Sequence, residues 1–259
     1  GEYAIDFSEA GARNEVDVHI LVSESNVLTS KAGTGLEKAY LPPSVGGGDD
    51  LPDSNKTYTV TDSTYYTYFT DEQSINTKKV LKNDTIILKG EFKNKNFTFT
   101  QKTHVIGDNC IIRNGTITFT GDASASTLKN VKIINYDKNS LNRHGVEVID
   151  VNNVVINNVN INNYDPWESF GIFICSSNGN TLTNNVIYTS GDYVNYGIFV
   201  YASDLNNLSK NRVTLNQSSK PIEYADEIMF NDRIGLIKEV LHNYGIILMY
   251  SSYNTVDQN

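Results

Sequence analysis

Cysteine is scarce in this 259-residue chain. Only Cys110 and Cys175 occur, 65 positions apart. Two thiols exclude a small disulfide-framed fold, and without a CxxC pair they exclude a zinc ribbon. They read as buried thiols. Positive charge is also in short supply: 21 Lys and Arg stand against 30 Asp and Glu, a formal net charge of −9. Nucleic acids and anionic lipid surfaces require the opposite balance, so neither is an expected partner. No run of about 18 apolar residues is present, and direct membrane insertion is not expected. The four histidines (19, 104, 144 and 242) lack metal spacing, so no metal site or cofactor is expected, and His144 reads as a loop residue. Start Met and signal peptide are both missing. The chain opens on Gly-Glu-Tyr and closes on Val-Asp-Gln-Asn in mid-pattern, which reads as a truncated piece of a longer exported protein.

Strong helix formers are thin, while Asn, Thr, Ser and Tyr (16 residues) are abundant. With 39% hydrophobic residues a packed core is available, and the β-branched and turn-forming bias predicts an all-β chain. Residues 1–40 hold one alternating run, Val16–Val22, read as a short β segment or the tail of a preceding module. Residues 41–56, rich in Pro, Gly and Asp, read as a linker. Residues 57–80 then supply a strand at 57–61 and a short helix over 62–73 with Asp62 or Ser63 as N-cap, placed to cap a stack of coils.

From about residue 81 the chain repeats. Four segments begin with Gly and an aliphatic residue, at Gly145, Gly171, Gly197 and Gly245. Their spacings are 26, 26 and 48, the last read as two coils of 24. Each Gly is followed 11 places later by an aliphatic residue: Ile156, Leu182, Leu208 and Val256. A second pattern places Asn two positions, and another aliphatic five positions, after the first: Ile112/Asn114/Ile117, Leu128/Asn130/Ile133, Ile156/Asn158/Ile161 and Leu182/Asn184/Ile187. In the fifth copy, Leu208/Val213, Lys210 takes the Asn slot with Asn211 beside it. The stretch 221–244 departs from the pattern.

A period near 24 with short strands excludes helical repeats, and the Leu spacing of leucine-rich repeats is missing. What remains is a solenoid of parallel strands stacked about 4.8 Å apart. In it, Asn114, Asn130, Asn158, Asn184 and Asn211 are expected to turn left-handed corners and form a buried amide ladder. The recurring Gly suits a corner or a close backbone approach.

These repeats resemble the pectin-lyase-like superfamily, which implies a right-handed parallel β-helix over 57–259 with an N-terminal cap. The idioms LKNDTIILKGEFKNKNFTF (81–99), HVIGDNCIIRNGTITFTGDAS (104–124), STLKNVKIINYD (126–137) and YGIILMYSSYNTV (244–256) are similar to adhesin-like surface proteins of methanogenic archaea. That resemblance implies an extracellular, wall-associated adhesin module facing a glycan, a wall polymer or a partner-cell protein.

The catalytic idioms of the pectin hydrolases (Asn-Thr-Asp, Asp-Asp, Gly-His-Gly and Arg-Ile-Lys) do not occur in the repeat region, so no enzyme is expected. The candidate binding residues come from loops that the coils throw to one side. Tyr136-Asp137 and Tyr164-Asp165 share a slot, with Trp167, Asp192, Tyr193 and Tyr196 nearby. Aromatic rings among polar groups suit sugar or protein contacts. A lyase or hydrolase acting through Asp137, Asp165, Glu168 or Asp192 is the alternative, and a non-binding spacer is another. The module is expected to be monomeric.

Overall fold

The computed structural model describes residues 54–136, 144–165, 168–191, 194–217 and 242–259. They fall in one compact unit, Leu51–Asn259. The expected strand at Val16–Val22, the rest of 1–40 and the linker up to residue 53 lie outside the described residues, as does most of the stretch 221–244.

Among the described residues there are seventeen strands. They are β1 (Thr57–Val60), β2 (Thr85–Lys93), β3 (Phe97–Gln101), β4 (His104–Arg113), β5 (Ile117–Asp122) and β6 (Thr127–Tyr136). Next come β7 (His144–Ile149), β8 (Val155–Asn157), β9 (Asn160–Tyr164), β10 (Glu168–Cys175), β11 (Thr181–Thr183) and β12 (Val186–Gly191). The series ends with β13 (Val194–Tyr201), β14 (Asn207–Ser209), β15 (Arg212–Gln217), β16 (His242–Met249) and β17 (Thr255–Asp257). One sheet has eleven strands, in the path β1-β2-β4-β6-β8-β11-β14-β17 with β9, β12 and β15 alongside. The other has six, in the order β16-β13-β10-β7-β5-β3. Every pairing between these strands is parallel, as in a chain wound into a right-handed β-helix.

The lumen is filled by columns of aliphatic side chains in register. Ile86, Val105, Leu128, Ile156, Leu182 and Leu208 form one such column, each fully buried. Ile117, Val146, Ile172 and Ile198 form another. Burying each contributes about 1.5–3 kcal/mol before entropy is counted.

The five-residue offset in the sequence pattern arises at the corner between two strands. Side chains alternate along a strand, so residues five apart face opposite sides. A left-handed residue at the corner shifts the phase by one, and both flanking aliphatics point inward. Asn109, Asn130, Asn158, Asn184 and Lys210 occupy this corner with φ between +49° and +60°.

Here the structure corrects the expected ladder. Asn130, Asn158 and Asn184 are exposed, because a corner residue that lets both neighbours face the core must itself face out. The Asn158 amide donates to Asn130 Oδ1 across 2.8 Å at the surface. Asn114 belongs to a different corner. It is half-buried, φ is +53°, and its amide donates to Asn94 Oδ1. Ile112 accordingly stacks on Ile133 while Leu128 stacks on Val105. The buried ladder lies one residue later. Asn185 donates to Asn211 Oδ1 (2.9 Å), and Asn211 donates to Asn259 Oδ1 (2.8 Å). Of the five expected ladder residues, Asn211 is in this buried column. A second ladder runs through Asn180, Asn206 and Asn254. A line of hydroxyls runs beside it through Ser177, Ser203 and Ser251.

Gly171 shows why the repeat opens on glycine. A Cβ there would lie 2.3 Å from Ile187 Cγ2 and 2.5 Å from the Gly197 carbonyl. The requirement is close approach rather than a left-handed backbone.

The spacing of 48 is also corrected. Strand β13 pairs directly with β16, and Ile198 stacks on Ile246. A single coil therefore separates Gly197 from Gly245, longer than its predecessors by 22 residues.

At the start of the solenoid, β1 pairs with β2 as the first rung. A 3-10 turn (Asp62–Thr64) and a four-residue helix, α1 (Tyr65–Tyr68), come next. The helix is shorter than 62–73, and Thr61 precedes the 3-10 turn and Thr64 the helix as cap residues, rather than Asp62 or Ser63. Thr64 Oγ1 accepts from the Thr61 N–H (2.9 Å). Tyr65 and Phe69 stack at 4.8 Å and close over Phe97, which they meet edge-on.

Candidate functional site

Tyr136 ends β6 and Tyr164 ends β9, on adjacent rungs in direct register. Tyr136 faces outward and is 70% exposed. Its ring centroid lies 5.1 Å from that of Tyr164, with planes inclined 40°. The Tyr136 N–H donates to Asn114 Oδ1 (3.2 Å), which ties this column to the corner before it.

The other candidates are placed differently. Asp165 is buried, and its N–H donates to the Ser190 carbonyl. Tyr196 is buried in β13 of the six-stranded sheet, away from the tyrosine pair. Its ring meets Phe170 and Phe199, each at 5.1 Å. Asp137, Trp167, Asp192 and Tyr193 lie outside the described residues.

Tyr196 belongs to a second apolar cluster with Phe170, Phe173 and Phe199, against which Cys175, Tyr201, Ile247 and Met249 pack. Phe173 falls between the lumen residues Ile172 and Ile174, so it projects from the outer face of its sheet. Cys175 is half-buried there rather than in the core, whereas Cys110 is buried, and burial pushes that thiol's pKa up to about 12. A thiol so raised is inert at neutral pH.

Beside the cluster, His144 Nδ1 meets Glu147 Oε1, and Thr118 Oγ1 donates to Glu147 Oε2 (2.8 Å). The imidazole lies edge-on to Phe170 at 4.6 Å. Burial pushes the Glu147 carboxyl up, but the His144 hydrogen bond and charge and the Thr118 hydroxyl outweigh it, and the net shift is downward. His144 is thus the first residue of β7 and not part of a loop. The pairing was hidden because residues three apart on a regular strand face opposite sides. The alternation is broken there, since Gly145 and Val146 are both buried while His144 and Glu147 are half-buried. The available signal was His-Gly-x-Glu itself.

Among the described residues, no group of three or more His, Cys, Asp or Glu is placed to hold a metal ion. No helix of the described residues is long and apolar enough to cross a membrane.

The family model described as right handed beta helix region matches residues 115–259, more than half of the chain. No curated protein and no solved structure matches it. Parallel register, lumen columns and family match agree, and the chain belongs to the right-handed β-helix family.

Proposed function

We propose that this chain is an extracellular, cell-surface adhesin-like module that binds a glycan or a cell-surface partner through the side bearing Tyr136 and Tyr164. The observation that carries the reading is the registered tyrosine pair at the ends of β6 and β9, with ring centroids 5.1 Å apart, Tyr136 exposed and Tyr164 half-buried beside it. Two large rings held side by side at the surface supply rigid contact area with little entropy to lose, and each ends in a hydroxyl. The likeness of the repeats to archaeal adhesin-like proteins supports the same reading. So does the net charge of −9, which disfavours nucleic acid and anionic lipid.

A glycan-array assay on the purified 259-residue chain tests it, with Tyr136→Ala plus Tyr164→Ala as the paired variant. Retention of one or more glycans, lost at least tenfold in the double variant, is the expected result. Binding that the double variant keeps moves the site elsewhere. Absence of any binding removes the glycan form of the proposal and leaves a protein ligand or a spacer. A retained glycan that is shortened during the assay would indicate a lyase or hydrolase.

A further inference from the structure

The column that begins with the tyrosine pair continues along the solenoid. Tyr136 pairs with Tyr164, Tyr164 with Ser190, and Ser190 with Asn216. Each of four successive rungs, β6, β9, β12 and β15, thus offers one outward hydrogen-bonding side chain. A parallel column lies two residues earlier on the last three rungs, where Asn162, Tyr188 and Thr214 are in register. None of these is fully buried. They are hydroxyls and carboxamides, able to donate and accept without carrying charge near neutral pH.

Charge is arranged differently over the same sheet. On the earlier rungs the outward residues include Lys89, Glu91, Lys93, Asp108 and Arg113, which pair among themselves: Lys89 with Asp108 at 3.1 Å, and Arg113 with Glu91 at 3.1 Å. Beside the two neutral columns the nearest cations in register are Lys132 and Arg212, at opposite ends of a third column through Asn160 and Val186. Among the described residues, a polyanion would meet one cation at each end of the face and none between, on a chain of net charge −9.

We infer that the ligand of this face is a linear, uncharged polysaccharide laid along the solenoid axis, about one sugar unit per rung, over Tyr136, Tyr164, Ser190 and Asn216. Rungs repeat about every 4.8 Å, close to the length of one hexose in an extended polymer. Such a polymer presents hydroxyls at the same regular interval and apolar C–H faces that suit the rings. Four rungs set the length of the site. The inference rests on the glycan-binding proposal above and narrows it to a substrate class and an orientation.

The test measures affinity of the whole chain by titration calorimetry for oligomers of two to eight units. The probes are β-1,4-glucose, β-1,4-mannose and α-1,4-glucose series, with polygalacturonate and chitosan as charged polymers. In at least one neutral series, affinity rises tenfold or more between two and four or five units and is flat beyond. Asn216→Ala and Ser190→Val, both at outward positions, lower the affinity of the longer oligomers at least threefold and leave that of the dimer unchanged. Polygalacturonate and chitosan do not compete. Affinity independent of length, binding only of a charged polymer, or indifference to both outward variants overturns this inference. If Tyr136 and Tyr164 remain essential on the array in those cases, the broader proposal stands. No retention of any glycan overturns this inference and the glycan form of the broader proposal together.

Discussion

Asn185 buries its amide between Asn211 Oδ1 and the Ile156 carbonyl (3.1 Å), and its own Oδ1 accepts the Val159 N–H at 2.9 Å. Asn184, one residue earlier, is exposed with φ +56°. Removing the first leaves several buried polar groups without partners, whereas the second is valued for its backbone alone. Asn185→Ala is therefore expected to lower unfolding free energy by about 2–3 kcal/mol. Asn184→Gly, which keeps the left-handed corner, should change it by less than about 1 kcal/mol. Urea denaturation of the two variants checks this, and equal losses would refute the division of roles. The recurrence of Asn was legible in the sequence. Which Asn of each coil is buried was not, because both columns repeat with the same period and differ only in the phase shift that the corner introduces.

At the scale of elements, the sequence spacing already placed β7, β10 and β13 in register, since Gly145, Gly171 and Gly197 fall 26 apart and their strands pair at that offset. It misjudged the last coil, because a spacing of 48 divides as readily into two coils as into one long one. Tyr136 and Tyr164 were legible as one slot because each follows the corner Asn of its coil by six places, Asn130 and Asn158. Tyr196 was not, because it lies in β13 of the other sheet, where its ring meets Phe170 and Phe199. The start of β7 also bears on acid stability. Glu147 has a folded-state pKa held below its ordinary value of 4.5. A depressed carboxylate contributes stability that is complete above the unfolded value and is lost as pH falls through the folded one. The melting temperature of the native chain should therefore fall more steeply below about pH 4.5 than that of Glu147→Gln. Parallel curves for the two proteins would show that the His144–Glu147–Thr118 group does not contribute to acid sensitivity.

At the scale of the whole 259-residue chain, the first and last described rungs differ. Tyr65 and Phe69 cover the first rungs, while at the last rung Val256 is 47% and Leu248 40% exposed, against zero for Leu208 and Val200, on which they stack. In a stacked solenoid each coil gains most of its stability from its neighbours. Amide exchange should accordingly be fastest in β16 and β17 and slower by at least about a hundredfold in β10 and β11, reflecting local opening of the terminal rung. Uniform protection from β10 to β17 would contradict nearest-neighbour stabilisation. The coil that joins β15 to β16 behaves in another way. It exceeds its predecessors by 22 residues, yet Ile198 meets Ile246 and Asn206 meets Asn254 as though nothing had been added. Strand register is thus indifferent to what is threaded between rungs. Corner segments can be exchanged like cassettes, in length and content, while the lumen keeps its thread, so that recognition and folding are free to vary on separate parts of one chain.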